Sequence, residues 1–332
     1  MPAVTKKKVK SKNGLMRAAV IVAPGRVEIE ETEIPDPRPN EVRVRLEGCG
    51  VCASNLELWA GQPWFEYPFR SGAPGHEGWG TVDKVGERVT NFKVGERVAM
   101  LSDHAYAEYD VAVADSILPL PDLLKNQDVP GEPLGCAMNI FMRSQIQAGQ
   151  MVAIVGVGFL GALLTRLATN AGARVIAVTR RPFALEIAKE FGAYDLIPMD
   201  DYHRNIEQVR NLTNGAGCDV VIEAVGKQYP LDLATQLTKE RGRLVIAGYH
   251  QDGPRQVDMQ LWNWRGLDVI NAHERYPGVY LEGMRLAIEA IERGELNPEP
   301  LYTHSFELNE LGEALDATRD HPEGFMKALL KI

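Results

Sequence analysis

From Met16 to about Leu120, apolar and polar positions alternate in short runs closed by glycine or proline. Arg17–Val22, Val42–Leu46, Gly80–Val85 and Arg97–Ala99 are the clearest of these runs. A period of two puts every second side chain on one face, so each run predicts a half-buried strand. Helical periodicity is nearly absent here, which predicts a β-rich domain.

Near Gly131 the texture changes. Met151–Val155 is an unbroken apolar run, followed at once by a helical stretch, Leu160–Ala171. Ala173–Val178 then predicts a strand, Pro182–Phe191 a helix, Asp195–Ile197 a strand and His203–Leu212 a helix. Asp219–Ala224, Leu231–Leu237, Arg243–Ala247 and Leu267–Asn271 continue the alternation. Six apolar strands with helices between most of them predict a parallel, doubly wound sheet, and the whole chain reads as α/β. Beyond the sheet, Tyr280–Arg293 predicts an amphipathic helix with Leu281, Met284, Ile288 and Ile291 on one face. A tail that is part helix and part strand closes the chain with Phe325–Leu330.

The 332 residues suffice for two domains, and 36 basic against 45 acidic side chains give a net charge of −9. That balance argues against nucleic acid as a partner. Five lysines and no acid occupy residues 1–15, which read as a flexible basic extension. The longest apolar stretch, Met151–Leu164, is broken by three glycines and is too short to span a bilayer. With no charged-then-apolar leader, a cytoplasmic protein without membrane contact is expected. Cys49, Cys52, Cys136 and Cys218 are too few for a disulfide scaffold, so reduced thiols or metal ligands are expected.

Met151–Val155 runs directly into Gly156-Val157-Gly158-Phe159-Leu160-Gly161 and a helix. G-x-G-x-x-G between the strand and helix of a βαβ unit is a dinucleotide-binding arrangement. Gly156 permits the tight turn, Gly158 the approach of a pyrophosphate, and Gly161 close packing of helix on strand. The helix N-terminus offers unpaired N–H groups and a positive dipole end to the phosphates. The next strand ends Ala177-Val178-Thr179-Arg180-Arg181, with no acid before Glu186. An acid there would bond ribose hydroxyls and repel a 2′-phosphate. Thr179 and Arg180 would instead bond that phosphate, with Arg181 a second candidate, so NADP is expected rather than NAD.

Cys49-Gly50-Val51-Cys52 lacks the second cysteine pair that a structural zinc ribbon needs. Cys52, His76 of Gly75-His76-Glu77, and Cys136 of G-E-P-L-G-C-A make a better set. Thiolate and imidazole suit zinc, and three protein ligands leave an open position for substrate.

In order along the chain come G-C-G-V-C-A-S-N-L-E, P-G-H-E-G-W-G, K-V-G-E-R-V, E-P-L-G-C-A and G-V-G-F-L-G. A-G-C-D-V-V-I-E-A-V-G and G-R-L-V-I-A-G follow. This series resembles medium-chain dehydrogenases of the zinc-dependent alcohol dehydrogenase type, from Met16 to Ile332. The resemblance implies a GroES-like catalytic domain over residues 16–137 and 274–332, interrupted by a Rossmann cofactor domain over 138–273. It implies Cys52 and His76 as zinc ligands and Cys136 as the third. Glu77 follows as a direct or exchanging ligand, with Glu132 beside them. Ser54 matches the hydroxyl of the family's proton relay. Glu57 stands where many relatives keep the histidine that receives the proton, and Asn55 where they usually keep Asp. Cofactor contacts carried over are Gly156, Gly158, Phe159, Leu160, Gly161, Thr179, Arg180, Arg181, Ala224, Gly248, Tyr249 and Ala272. Cys49 and Cys218 are expected to be bystanders.

Trp59, Trp64, Phe65 and Tyr67 crowd one loop after Cys52, as a local apolar cluster or as the wall of a ring-shaped or sugar-like substrate. The family's four-cysteine lobe is missing after Val98, so one catalytic zinc and no structural zinc is expected. The resemblance thus implies a zinc-dependent oxidoreductase moving hydride between NADP and a secondary alcohol (a polyol, sugar-like compound or cyclitol). It also implies a homodimer or homotetramer. A zinc-free NADPH-dependent quinone or enoyl reductase shares the missing lobe, and a nucleotide-binding protein without turnover is a third reading.

Overall fold

The computed structural model describes residues 14–332, so nearly all of the basic extension lies outside the described residues. Strands β1 (Leu15–Ala23) and β2 (Arg26–Glu33) form an antiparallel hairpin. Strand β3 (Glu41–Gly50) leads to a short helix, α1 (Leu56–Trp59), and on to β4 (Glu77–Val85), β5 (Arg97–Met100), β6 (Tyr109–Val113) and β7 (Ile117–Pro119). Helix α2 (Gly131–Ser144) leads out of this region. Its Gly131, Pro133 and Gly135 look like loop residues in the sequence. They are buried here, together with Leu134, Ala137, Met138 and Ile140, because a helix enclosed on most sides favours small side chains.

The second region alternates β8 (Met151–Val155), α3 (Phe159–Asn170), β9 (Arg174–Thr179), α4 (Pro182–Glu190) and β10 (Asp195–Pro198). It continues through α5 (Tyr202–Leu212), β11 (Cys218–Glu223), α6 (Gln228–Leu237), β12 (Thr238–Ile246), α7 (Met259–Arg265) and β13 (Asp268–Asn271). These six strands are parallel in the order β10-β9-β8-β11-β12-β13, the doubly wound sheet that the alternation predicts. Strands β8, β9 and β11 are almost wholly buried, which is why their sequences are continuously apolar. The strand order reverses between β8 and β11. Such a switch point opens a crevice at the carboxyl ends of the strands.

Helix α8 (Pro277–Glu292), β14 (His304–Glu307), α9 (Leu311–Asp320) and β15 (Ala328–Lys331) complete the chain. Met284 and Ile288 of α8 are buried as the periodicity predicts, while Leu281 and Ile291 are only partly covered. Strand β15 returns to the first region and pairs antiparallel with β3, placing Leu329 opposite Gly50. The resulting seven-stranded sheet runs β14-β15-β3-β4-β5-β7, with β6 also on β3. Strand β6 pairs with Glu41–Arg45 and β15 with Gly48–Gly50. Among the described residues no helix is long and apolar enough to cross a membrane.

Candidate active site

Antiparallel pairing of β3 with β4 sets Gly50 opposite Glu77. That register brings Cys52, just past β3, to the same end of the sheet as His76, just before β4. A sulfur of Cys52, a ring nitrogen of His76 and a carboxylate oxygen of Glu77 lie within 4.8 Å of one another. His76 Nδ1 is 2.9 Å from the Pro74 carbonyl, so Nδ1–H donates there and Nε2 is left for the cluster. The Ser54 amide donates to Cys52 Sγ at 3.5 Å. A Cβ on Gly50 would fall 1.8 Å from Glu77 Oε2, so glycine is what lets the carboxylate lie across β3.

Acidic side chains crowd around His76. Burial works against a charged His76 ring, but Cys52, Glu132 and Glu77 outweigh it and push His76 up to about 10. Burial raises Glu132, and the Glu77 charge adds to that shift. A thiol, an imidazole and a carboxylate at one buried point, with a second carboxylate nearby, form a donor set that fits zinc.

Sequence reasoning missed Lys327. It stands one residue before β15, and the pairing of β15 with β3 carries its buried ammonium to within 2.6 Å of Glu77 Oε2. Its Nζ also donates to the Val51 carbonyl at 3.1 Å and lies 5.3 Å from the Phe159 ring centre. Burial works against this charge, but Glu77 and Cys52 overcome it and raise the lysine. The available signal was a lone charge between Phe325-Met326 and Ala328-Leu329-Leu330, a position surrounded by apolar residues.

At the other side of the crevice, the carboxyl ends of β8, β9, β11, β12 and β13 carry Gly156–Gly161, Thr179, Ala224, Gly248-Tyr249 and Ala272. Gly156 has φ +99°, and a Cβ on Gly161 would fall 2.1 Å from the Gly156 carbonyl oxygen. Gly158 caps α3 without a side-chain acceptor, so the first N–H groups of that helix stay open to a ligand. Thr179 is buried and Arg180 exposed.

Residues 38–122 match the model of the alcohol dehydrogenase GroES-like domain, and residues 160–287 match that of zinc-binding dehydrogenases. The chain belongs to the medium-chain dehydrogenase/reductase family. A sorbitol dehydrogenase of Bacillus subtilis is 26% identical, covering 95% of this chain and 97% of the relative. Among solved structures, the zinc-dependent alcohol dehydrogenase 2 from Streptococcus pneumonia superposes with a TM-score of 0.86 at 25% identity, covering 95% of this chain and 98% of that one. A 2R,3R-butanediol dehydrogenase from Bacillus subtilis gives 0.81 at 25% identity, covering 96% and 99%.

In this medium-chain dehydrogenase the structure rearranges several of the sequence-based assignments. Cys136 does not join the cluster. Its thiol donates to Glu132 Oε1 at 3.2 Å and lies 3.4 Å from the Tyr280 hydroxyl, so Glu77, not Cys136, is gathered with Cys52 and His76. Arg181 is spent elsewhere too. Its guanidinium donates to the Phe325 carbonyl and, at 3.3 Å, to the Val157 carbonyl. The Phe159 ring is buried and stacks on Tyr302 at 5.9 Å, so this residue offers its backbone rather than its ring to the loop.

Asn55 donates to the Tyr106 hydroxyl at 2.8 Å, and its carbonyl lies 3.5 Å from Ser54 Oγ. The histidine therefore takes its orientation from Pro74 rather than from position 55. Glu57 accepts a hydrogen bond from Gln62 at 2.8 Å. Trp59 is buried with its indole donating to Asp316 at 2.9 Å, and the Tyr67 hydroxyl donates to the Leu58 carbonyl. Those two rings belong to the packing of the loop, whereas Trp64 is 55% exposed. Cys49 and Cys218 are buried free thiols.

Proposed function

We propose that this dehydrogenase holds one zinc ion on Cys52, His76 and Glu77 and exchanges hydride between a secondary alcohol and NADP. The observation that carries the reading is the Cys52–His76–Glu77 cluster, joined through Lys327 to the Phe159 ring at the start of α3. A bound zinc would supply Lewis-acid polarisation of the substrate oxygen, bringing loss of the alcohol proton toward neutral pH. Ser54 takes that proton at its hydroxyl and hands it outward. Glu57 offers a carboxylate either to receive the proton or to bond a further hydroxyl of a polyol. Glu132 adds a further carboxyl close enough to raise His76. Thr179 and the exposed Arg180, with no acid at the end of β9, support NADP. The names of the sorbitol and butanediol dehydrogenase relatives support a polyol as the alcohol.

Metal analysis combined with a screen of polyols, sugars and cyclitols tests the reading. One zinc per chain and NADP-linked alcohol oxidation are expected, with both lost in Cys52→Ser. One observation favours a second reading: Lys327 already places a positive charge on Glu77 without any metal. Purified protein that reduces enones or quinones with NADPH while holding well under one zinc per chain would replace the first reading with the second.

A further inference from the structure

A chain of polar side chains crosses from the six-stranded sheet to the segment beside Cys52, and most of it has no part in the chemistry above. It begins at Glu223, fully buried at the end of β11. One carboxylate oxygen accepts the Val225 and Gly226 amides at 2.8 and 2.7 Å, and the other lies 3.0 Å from His250 Nε2. On the far side of that ring, Arg255 Nε donates to His250 Nδ1 at 2.9 Å. A guanidinium can only donate, so Nδ1 is the acceptor and Nε2 carries the proton toward Glu223. The two contacts hold the imidazole in one orientation.

Arg255 continues outward. It donates to the Gly226 carbonyl at 2.8 Å and to the Asp252 carboxylate. Asp252 Oδ2 pairs with Lys227 Nζ at 2.6 Å, and the same ammonium lies 3.6 Å from Glu57 Oε1 on α1. Next to it, the Gln251 side-chain amide donates to the Ala53 carbonyl at 3.1 Å. Lys227 and then Arg255 hold the Asp252 carboxyl at about 2, the signature of a carboxylate shared between two cations.

We infer that Arg255 and Lys227 are positioning residues that register the loops after β11 and β12 on the Ala53–Gln62 segment, fixing Glu57 relative to the cofactor crevice. Arg255 acts through His250 and Asp252, and Lys227 acts on Glu57 directly. The inference rests on the proposed function only in treating Glu57 as a group that faces substrate. The registration itself is a property of the folded chain.

Hydrogen exchange on the full-length protein, without cofactor or substrate, reads the registration directly. Arg255→Gln is expected to accelerate exchange roughly tenfold in residues 249–256 and also in 53–62, because it breaks the chain at a largely buried link between His250 and Asp252. Lys227→Met is expected to accelerate 53–62 alone by roughly threefold, as befits a half-exposed pair, and Lys227→Arg to restore it. In a cycle with Glu57→Gln, the Lys227→Met effect on 53–62 is expected to vanish. Unchanged exchange at 53–62 in both variants, or fully additive effects in the cycle, overturns the inference. Should Arg255→Gln fail to fold, the surface variant Lys227→Met still decides it. Where alcohol turnover is measurable, Lys227→Met is expected to raise alcohol KM roughly threefold with NADPH affinity unchanged, and Lys227→Arg to restore it. A protein that turns over no alcohol would remove the proposed function and leave the exchange result standing.

Discussion

Lys327→Met keeps the length of the side chain and removes its charge. Glu77 is 0% and Lys327 7% exposed at the side chain, and they meet at 2.6 Å. Removing the ammonium strands a buried carboxylate and takes a donor from the Val51 carbonyl. Breaking one side of a buried pair costs about 3–5 kcal/mol. At about 2–4 °C per kcal/mol for a cooperative unit of a few hundred residues, the apparent melting temperature falls by roughly 6–20 °C. Zinc alters this result in a specific direction. An ion held by Glu77 supplies the positive charge that the variant lacks, so zinc stabilises Lys327→Met more than the parent protein. Scanning calorimetry on chelator-treated protein, repeated after adding one equivalent of zinc, measures both effects. A metal-free loss below about 1 kcal/mol would refute the buried pair. Equal stabilisation of both proteins by zinc would refute Glu77 as a donor to the metal.

Burial drives the Cys218 thiol up to about 12 and Cys49 well above its usual value, so neither carries appreciable thiolate near neutral pH. Titration with a small disulfide reagent should therefore reach these two only after unfolding, and rapid labelling of either in the native protein would contradict it. Arg180→Ala is expected to weaken NADPH binding roughly tenfold while sparing NADH, whereas Arg181→Ala costs about 1–3 kcal/mol of stability and leaves the cofactor ratio alone. Fluorescence titration with both cofactors, alongside thermal unfolding, separates the two arginines. Asp252 sits at about 2 against an ordinary 3.8, and a depressed carboxyl stabilises above its ordinary value and stops doing so as pH falls through the folded one. Acid unfolding of the parent and Asp252→Asn should accordingly differ above about pH 4 and converge by about pH 2; parallel curves throughout would count against the pairing.

The six-stranded sheet is legible in the sequence because its central strands are covered on both faces and therefore read as plain apolar runs. Strand β2 is not, since R-V-E-I-E-E-T-E forms a largely exposed ribbon whose partner, not its composition, makes it a strand. Cys52 and His76 stand out by residue type and spacing. Choosing Glu77 over Cys136 needs the β3–β4 register, which no local pattern specifies. Arg180 and Arg181 are equivalent by composition. What separates them is a carbonyl at Phe325, 144 residues away in the chain. Lys327 shows in the sequence only as a lone charge in an apolar run, and its partners, 250 and 276 residues earlier, do not show at all.

Lys327 reaches the Val51 carbonyl across 276 residues. At synthesis rates of about 5–20 residues per second, Val51 is made roughly 14–55 s before its partner. Throughout that interval the Gly48–Gly50 edge of β3 is open and Glu77 has no counter-charge from the protein. The six-stranded sheet lies wholly within the intervening chain and can be completed meanwhile. The Cys52–His76–Glu77 cluster is thus among the last parts of the molecule to be completed, and a chain cut before Lys327 would display both an unpaired strand edge and a carboxylate without its lysine.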